Sequence, residues 1–206
     1  MSALEFVNLN RDNFDVALKI QNELFPSHSA YVNYREAVEK LTDNVYWIVR
    51  HGGENIGICG LYYYAADTES AWLGWFGILK EFRRQGFGSR ALSRFEEEAK
   101  RRGFKFCRLY TDRFENEIAK KFYESNGYVC EQYINDEDSA CKIYPIDIYS
   151  KPLKNFVLVP WGNRNINFSE QIKKQEIYHR TENYPDILKT QGALTRSARR
   201  RKSILR

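Results

Sequence analysis

No stretch of this chain approaches the ~18 consecutive apolar residues that a membrane-spanning helix requires, and no basic segment followed by an apolar core opens it. A membrane-embedded or secreted class is thereby set aside, and a soluble, cytoplasmic protein is expected. Cysteine is sparse: Cys59, Cys107, Cys130 and Cys141 stand far apart with no C-x-x-C pair. That spacing argues against a metal site or a disulfide framework, and because three of the four sit in strand-like apolar runs, buried free thiols are expected. Internal repeats and low-complexity tracts are absent. With 43% hydrophobic and 29% charged residues, the composition excludes collagen-like and broadly disordered classes. A length of 206 residues suits one domain with an appendage.

Acidic residues are missing from the last twenty positions. Residues 187–206 hold Lys189, Arg196, Arg199, Arg200, Arg201, Lys202 and Arg206, so removing these seven from a net charge of +5 leaves −2 for the first 186 residues. The basic character belongs to a tail and not to the fold, and charge alone gives the main domain no nucleic-acid face.

Hydrophobic periodicity supplies the element order. A short strand at Glu5-Phe6-Val7-Asn8-Leu9 precedes Phe14, Ala17, Leu18, Ile20, Leu24 and Phe25 at helical spacing, stopped by Pro26. Tyr34, Ala37, Val38 and Leu41 mark a second helix after a loop over 26–32. Val45-Tyr46-Trp47-Ile48-Val49, the turn cluster His51-Gly52-Gly53-Glu54-Asn55 and the run 56–64 read as a β-hairpin, and a polar break at Asp67-Thr68-Glu69-Ser70 leads to a further strand over 71–78. Ala91, Leu92, Phe95 and Ala99 share one helical face, with Gly103 expected in a left-handed terminating position. A strand over 104–110 follows, then a helix through Ile118, Ala119, Phe122 and Tyr123, then strands over 128–134 and 142–149. The order is β-αα-βββ-α-β-α-ββ, an α/β arrangement. Beyond residue 150 the patterning weakens to a strand over 156–160 and a helix over 169–178. The expected division is a domain over 1–150 and an extension over 151–206 ending in the basic tail.

The stretch Arg83-Arg84-Gln85-Gly86-Phe87-Gly88-Ser89 lies between an apolar strand and an amphipathic helix. Glycines at such a turn let a ligand approach the backbone, and the first N–H groups of the helix have no internal partners, so the turn can cradle a pyrophosphate with Arg83, Arg84 and Arg90 as counter-charges. A Walker-type loop is excluded because no Lys-Ser or Lys-Thr follows, and a dinucleotide fingerprint because G-x-G-x-x-G is absent. Taken alone, the turn would better suit an unliganded strand-to-helix connection with solvated arginines.

At these residues the chain resembles the GNAT superfamily of N-acetyltransferases, whose acetyl-coenzyme A signature, [QR]-x-x-G-x-[GA], is met by Arg83, Gly86 and Gly88. A second family feature, N-x-x-A-x-x-F-Y-x-x-x-G-[FY], is met by Asn116, Ala119, Phe122, Tyr123, Gly127 and Tyr128. The resemblance spans roughly residues 5–149. It implies a mixed, mainly antiparallel sheet flanked by helices and acetyl-coenzyme A as cosubstrate. It further implies backbone contacts to the pantetheine arm from Ile78 and Leu79, and a pyrophosphate turn over Arg83, Arg84, Gln85, Gly86, Phe87, Gly88 and Ser89. Asn116 and Ala119 would be cofactor contacts on the next helix, and Tyr123 would reach the cofactor sulfur and act as the acid that protonates the leaving thiolate.

Direct transfer requires a neutral amine, although a lysine-type amine of pKa ~10.4 is protonated at pH 7, so a base is needed. Where several family members place a glutamate on the fourth strand this chain has Trp72, which leaves Glu69 and Asp112 as candidate bases acting through water or as plain loop acids. Trp72, Trp75 and Tyr62-Tyr63-Tyr64 line an acceptor pocket or belong to the core, and His28 lies where the family's acceptor loop falls. No residue separates a small amine, a polyamine, an aminoglycoside or a protein amine as acceptor. Two other readings stand beside the enzyme: an acyl-coenzyme A-binding regulator, motivated by Trp72, and an acetyltransferase whose basic tail anchors it to nucleic acid or ribosomes. Oligomeric state is not legible.

Overall fold

Asn10 and Asn13 open the structured chain after its first strand, accepting bonds from the backbone N–H groups of Asp12 and Asn10 at 2.9 and 2.8 Å, and so turn β1 (Leu4–Asn8) into α1 (Phe14–Leu24). The computed structural model describes residues 3–114, 116–133, 146–162, 166 and 168. Helix α1 buries Ala17, Ile20 and Gln21, one stripe at three- and four-residue spacing. α2 (Tyr31–Val38) follows, starting three residues before the first periodic residue read from the sequence.

A meander comes next, β2 (Val45–His51), β3 (Glu54–Tyr64) and β4 (Asp67–Ile78), and a short 3-10 turn at Lys80–Phe82 leads to α3 (Phe87–Arg101). Gly103, at φ +85°, follows α3 in the left-handed conformation expected of it. The chain continues through β5 (Phe106–Asp112), α4 (Glu117–Ser125), β6 (Val129–Gln132) and β7 (Ile146–Pro152). All seven strands form one sheet in the order β1-β2-β3-β4-β5-β7-β6, antiparallel except for the β4–β5 pair. That pair is parallel because α3 carries the chain back along the sheet between the two strands.

Alternation along the strands divides the core. Trp47, Val49, Cys59 and Leu61 face α3 and α4, where Leu92, Phe95 and Ala99 meet them. Tyr46, Ile48 and Ile58 face α1 and α2. A third cluster joins Trp72, Tyr133, Ile146 and Ile148 to Trp161, Ile166 and Phe168, beyond the last strand.

Several sequence expectations change here. Strand β7 runs through residues 150 and 151, and Trp161 and Phe168 pack against Trp72. Residues 156–160 form no strand: the run is apolar but sits in coil, with Val157 exposed. Asp67 to Ser70 is strand and not a break, the turn being Ala65-Ala66. Cys59 and Cys107 are buried free thiols, whereas Cys130 on the edge strand β6 is exposed. Cys141, residues 142–145 of the last expected strand, the expected helix at 169–178 and the basic tail lie outside the described residues. Among the described residues no helix is long and apolar enough to cross a membrane.

Candidate functional site

The parallel pairing of β4 with β5 covers only Ser70–Phe106, Ala71–Cys107 and Trp72–Arg108. Past Leu73 the strands diverge, because β4 carries a bulge: β3 pairs Ile58 with Gly77 but Gly60 with Gly74, and Trp75 takes φ +46°. An extra residue on one strand bends it and strengthens its twist, which opens a wedge in the sheet. Tyr62 crosses β4 where Gly74 has no side chain, and Tyr46 crosses β3 at Gly60. A Cβ would meet these rings at 2.8 and 2.2 Å.

The wedge is a cleft of about 300 Å³. From β4 and β5 come Leu73, Trp75, Phe76, Leu109, Tyr110 and Thr111. Helix α4 closes one side with Asn116, Ala119 and Tyr123, and Phe25, His28, Asn33, Tyr46 and Tyr62 close the other. The structure thus brings together Asn116, Ala119 and Tyr123 from one expected motif with His28, Trp75 and Tyr62 from the acceptor expectation.

Tyr123 is buried among Phe76, Phe122, Tyr128 and Tyr149, at ring-centroid distances of 5.5–6.3 Å. Burial, with a smaller contribution from Cys59, pushes its hydroxyl well above the usual tyrosine range, so it remains a proton donor at neutral pH. No hydrogen bond joins that hydroxyl to another described residue. Asn116 begins α4 at φ +61° without capping the helix through its side chain, which leaves the amide available to the cleft.

Beyond the end of β4, Arg84 (φ +64°) and Gly86 (φ +78°) both turn left-handed, and Gly86 starts α3. No atom lies within 4 Å of where a Gly86 Cβ would stand. The exposed backbone there opens onto the first N–H groups of α3, a place suited to phosphate oxygens. Other members of the turn do different work. The Phe87 ring is buried against His51 at 4.5 Å, so only its backbone faces outward. Gly88 makes room for Phe122, which a Cβ would meet at 3.3 Å, and thereby sets the approach of α4 to α3. Gln85 donates to the Glu81 carbonyl at 3.4 Å, and Ser89 is half-buried.

Of the two expected pantetheine contacts, Leu79 donates its N–H to Ile56 on β3 at 2.9 Å. In an antiparallel ladder the neighbouring residue then turns its backbone the other way, so Ile78 faces the wedge. The Ile78 carbonyl accepts Arg83 Nε at 2.7 Å, which employs Arg83 in holding the strand end.

The two candidate bases lie away from the cleft lining. Glu69, inside β4 at its far end, is paired with Lys105 on the surface. Asp112, the last residue of β5, accepts the Phe114 N–H at 2.7 Å. Trp72 is fully buried beneath Trp161 and Phe168, its indole N–H donating to Asp67 at 3.2 Å, and does not line the cleft. Sequence reasoning missed Asn33, Tyr46 and Tyr110. Only the glycines opposite Tyr46 and Tyr62 hinted at rings lying across the strands. Among the described residues no group of three or more His, Cys, Asp or Glu could hold a metal.

Known structures share this fold. The PaiA N-acetyltransferase of Thermoplasma acidophilum, in complex with coenzyme A, superposes with a TM-score of 0.57 at 17% identity, over 73% of this chain and 99% of that one. NAA60 of Arabidopsis thaliana, in complex with a bisubstrate analogue, gives 0.58 at 13% identity over 75% and 100%. An aminoglycoside N-acetyltransferase in complex with CoA gives 0.56 at 16% over 66% and 93%. At these identities the likeness shows the fold. No curated protein matches the sequence. Residues 8–128, which include the cleft lining, the glycine turn and both motifs, match the Acetyltransferase (GNAT) family, and the chain belongs to that family.

Proposed function

We propose that this acetyltransferase moves an acetyl group from acetyl-coenzyme A to a primary amine by direct attack within a ternary complex. The observation that carries this reading is the wedge between β4 and β5, whose lining includes Tyr123, with the glycine turn following β4 along the chain. The residues present fit the cosubstrate: open backbone at Gly86 for the pyrophosphate, the edge of β4 at Ile78 for an extended amide-bearing arm, and Asn116 and Ala119 in the cleft lining. Acetyl-coenzyme A supplies the thioester carbonyl and a thiolate leaving group. Tyr123 gives that sulfur a proton or a strong hydrogen bond, and the unpaired backbone of β4 supplies N–H donors for the carbonyl oxygen.

His28 takes the proton of the attacking amine. With Glu69 and Asp112 outside the cleft lining, and with Tyr46 and Tyr62 held protonated by burial, His28 is the cleft side chain suited to that work among the described residues. Trp72 no longer motivates a non-catalytic regulator, since its place in the aromatic cluster accounts for it. The test is amine-dependent release of coenzyme A thiol from acetyl-coenzyme A, with the acetylated amine identified by mass. Tight acetyl-coenzyme A binding without release for any amine would sink the reading. Transfer at an unchanged rate in His28→Gln would remove His28 as the base.

A further inference from the structure

The stripe that α1 turns inward is Ala17, Ile20, Gln21 and the half-buried Leu24, so an apolar series is interrupted by one amide. Gln21 is 0% exposed, and an amide so placed is costly unless its polar atoms find partners. Its side-chain hydrogen bonds go to the segment that follows the helix. Nε2 donates to the His28 carbonyl at 2.8 Å and to the Phe25 carbonyl at 3.4 Å, and Oε1 accepts the Ala30 N–H at 2.9 Å. With carbonyls at one end of the amide and an N–H at the other, the partners also fix which way it points. We infer that Gln21 is a positioning residue for the acceptor: from outside the cleft lining it holds residues 25–30 in the conformation that sets Phe25 and His28 into that lining, and it takes no part in holding acetyl-coenzyme A. The inference rests on the transfer reading above.

Residues 25–30 are neither helix nor strand, so no ladder of their own shapes them. The turn bond from the His28 N–H to the Phe25 carbonyl, at 3.1 Å, spans three residues, whereas the Gln21 amide ties positions 25, 28 and 30 to one point. The same amide sets the start of α2, because Ala30 precedes that helix and its carbonyl accepts the Tyr34 N–H at 2.9 Å. Asn33 of α2 in turn accepts the Trp75 indole N–H through Oδ1 at 3.1 Å, and the Phe25 ring meets Trp75 edge-on at 5.6 Å. Phe25, His28, Asn33 and Trp75 all line the cleft, and all are reached from one buried side chain.

The effect is confined to one substrate by the sheet itself. Helices α1 and α2 pack on one face, while α3 and α4, which begin at the glycine turn and at Asn116, pack on the other. Loss of the Gln21 bonds therefore displaces the wall bearing His28 and leaves the residues assigned to the cosubstrate where they are.

The native full chain supplies the first measurement. By NMR, the Gln21 side-chain N–H protons are expected to exchange with solvent at least about ten-fold more slowly than those of Gln132, which is exposed on β6. Equal rates overturn the inference. Thiol release from acetyl-coenzyme A is then followed with phenylethylamine, spermidine, kanamycin and tetra-alanine, and the amine that reacts fastest with the native protein is carried to Gln21→Met, which keeps the length of the side chain and removes its hydrogen bonds. The variant is expected to lower kcat/KM for that amine by about ten- to hundred-fold, as a misplacement of about 1 Å does, with KM for acetyl-coenzyme A and the calorimetric affinity for coenzyme A within about two-fold of native. Gln21→Leu, which suits the apolar stripe, gives the same comparison should Gln21→Met not fold. Equal losses for both substrates, the result of a purely structural role, overturn the inference while upholding transfer, as does an unchanged kcat/KM for the amine. If none of the four amines releases thiol from the native protein, the transfer reading fails and the inference falls with it.

Discussion

Tyr123 is held in a cage of rings, Phe76, Phe122, Tyr128 and Tyr149, so removing its oxygen leaves the packing in place. Tyr123→Phe should therefore lower kcat by ~10²- to 10⁴-fold while leaving coenzyme A affinity unchanged, checked by single-turnover kinetics beside calorimetry. The pH sign follows from burial. A hydroxyl raised above the ordinary tyrosine range keeps its proton through neutral pH, so loss of rate from its ionisation appears only on the far alkaline side. Gly86 tests the other end of the site. Gly86→Val forces a β-branched residue to φ +78° and fills the open space where phosphate oxygens would approach. The strain is of order 1–2 kcal/mol, small enough for the domain to stay folded by circular dichroism, while calorimetry should show coenzyme A binding lost.

Helix α3 links that turn to an arginine-rich corner at its other end. The buried Glu98 carboxylate accepts bonds from Arg101 at 2.5 Å and Arg102 at 2.7 Å, with Arg94 at 3.8 Å. The bond from Arg101, then that from Arg102, outweighs the opposing effect of burial and takes Glu98 from the ordinary 4.5 to about 2. Because the folded value is depressed, the stability it contributes is present above pH ~4.5 and is lost as pH falls through ~2. Glu98→Gln should lower the denaturant midpoint at neutral pH, with the difference from the native protein closing between those limits. Arg101 is exposed, so salt should shrink the effect. Elements such as α3 were legible in the sequence because a buried stripe repeats every three to four residues. Residues 67–70 were misread for a physical reason: strand pairing is made by the backbone, and Asp67 opposes Tyr64 while Ser70 opposes Phe106 whatever their polarity. The apolar run at 156–160 failed in the opposite way, being suited to a strand without occupying one.

Across the whole molecule, the segment after β7 packs back against the sheet. Arg108, buried in β5, reaches Ser70, Ser150 and the Val159 carbonyl, and Glu131 accepts the Trp161 N–H at 2.7 Å. Trp161 and Phe168 then close over Trp72. Trp161→Ala should cost about 3–5 kcal/mol, read as a lower urea midpoint at unchanged m-value, and should raise the KM for the amine more than that for acetyl-coenzyme A. Equal effects on both substrates would mean that the cluster supports the fold without shaping the acceptor side. By itself the sequence determined the order of elements, the glycine turn, and Tyr123 in its motif, since each is written in residues a few positions apart. Tertiary structure alone decided the cleft walls, the burial of Trp72 and the absence of Glu69 and Asp112 from the cleft lining. Those walls come from the loop after α1 and from α2, β2, β3, β4 and β5, far apart along the chain, and they meet where a bulge at Trp75 splits the sheet.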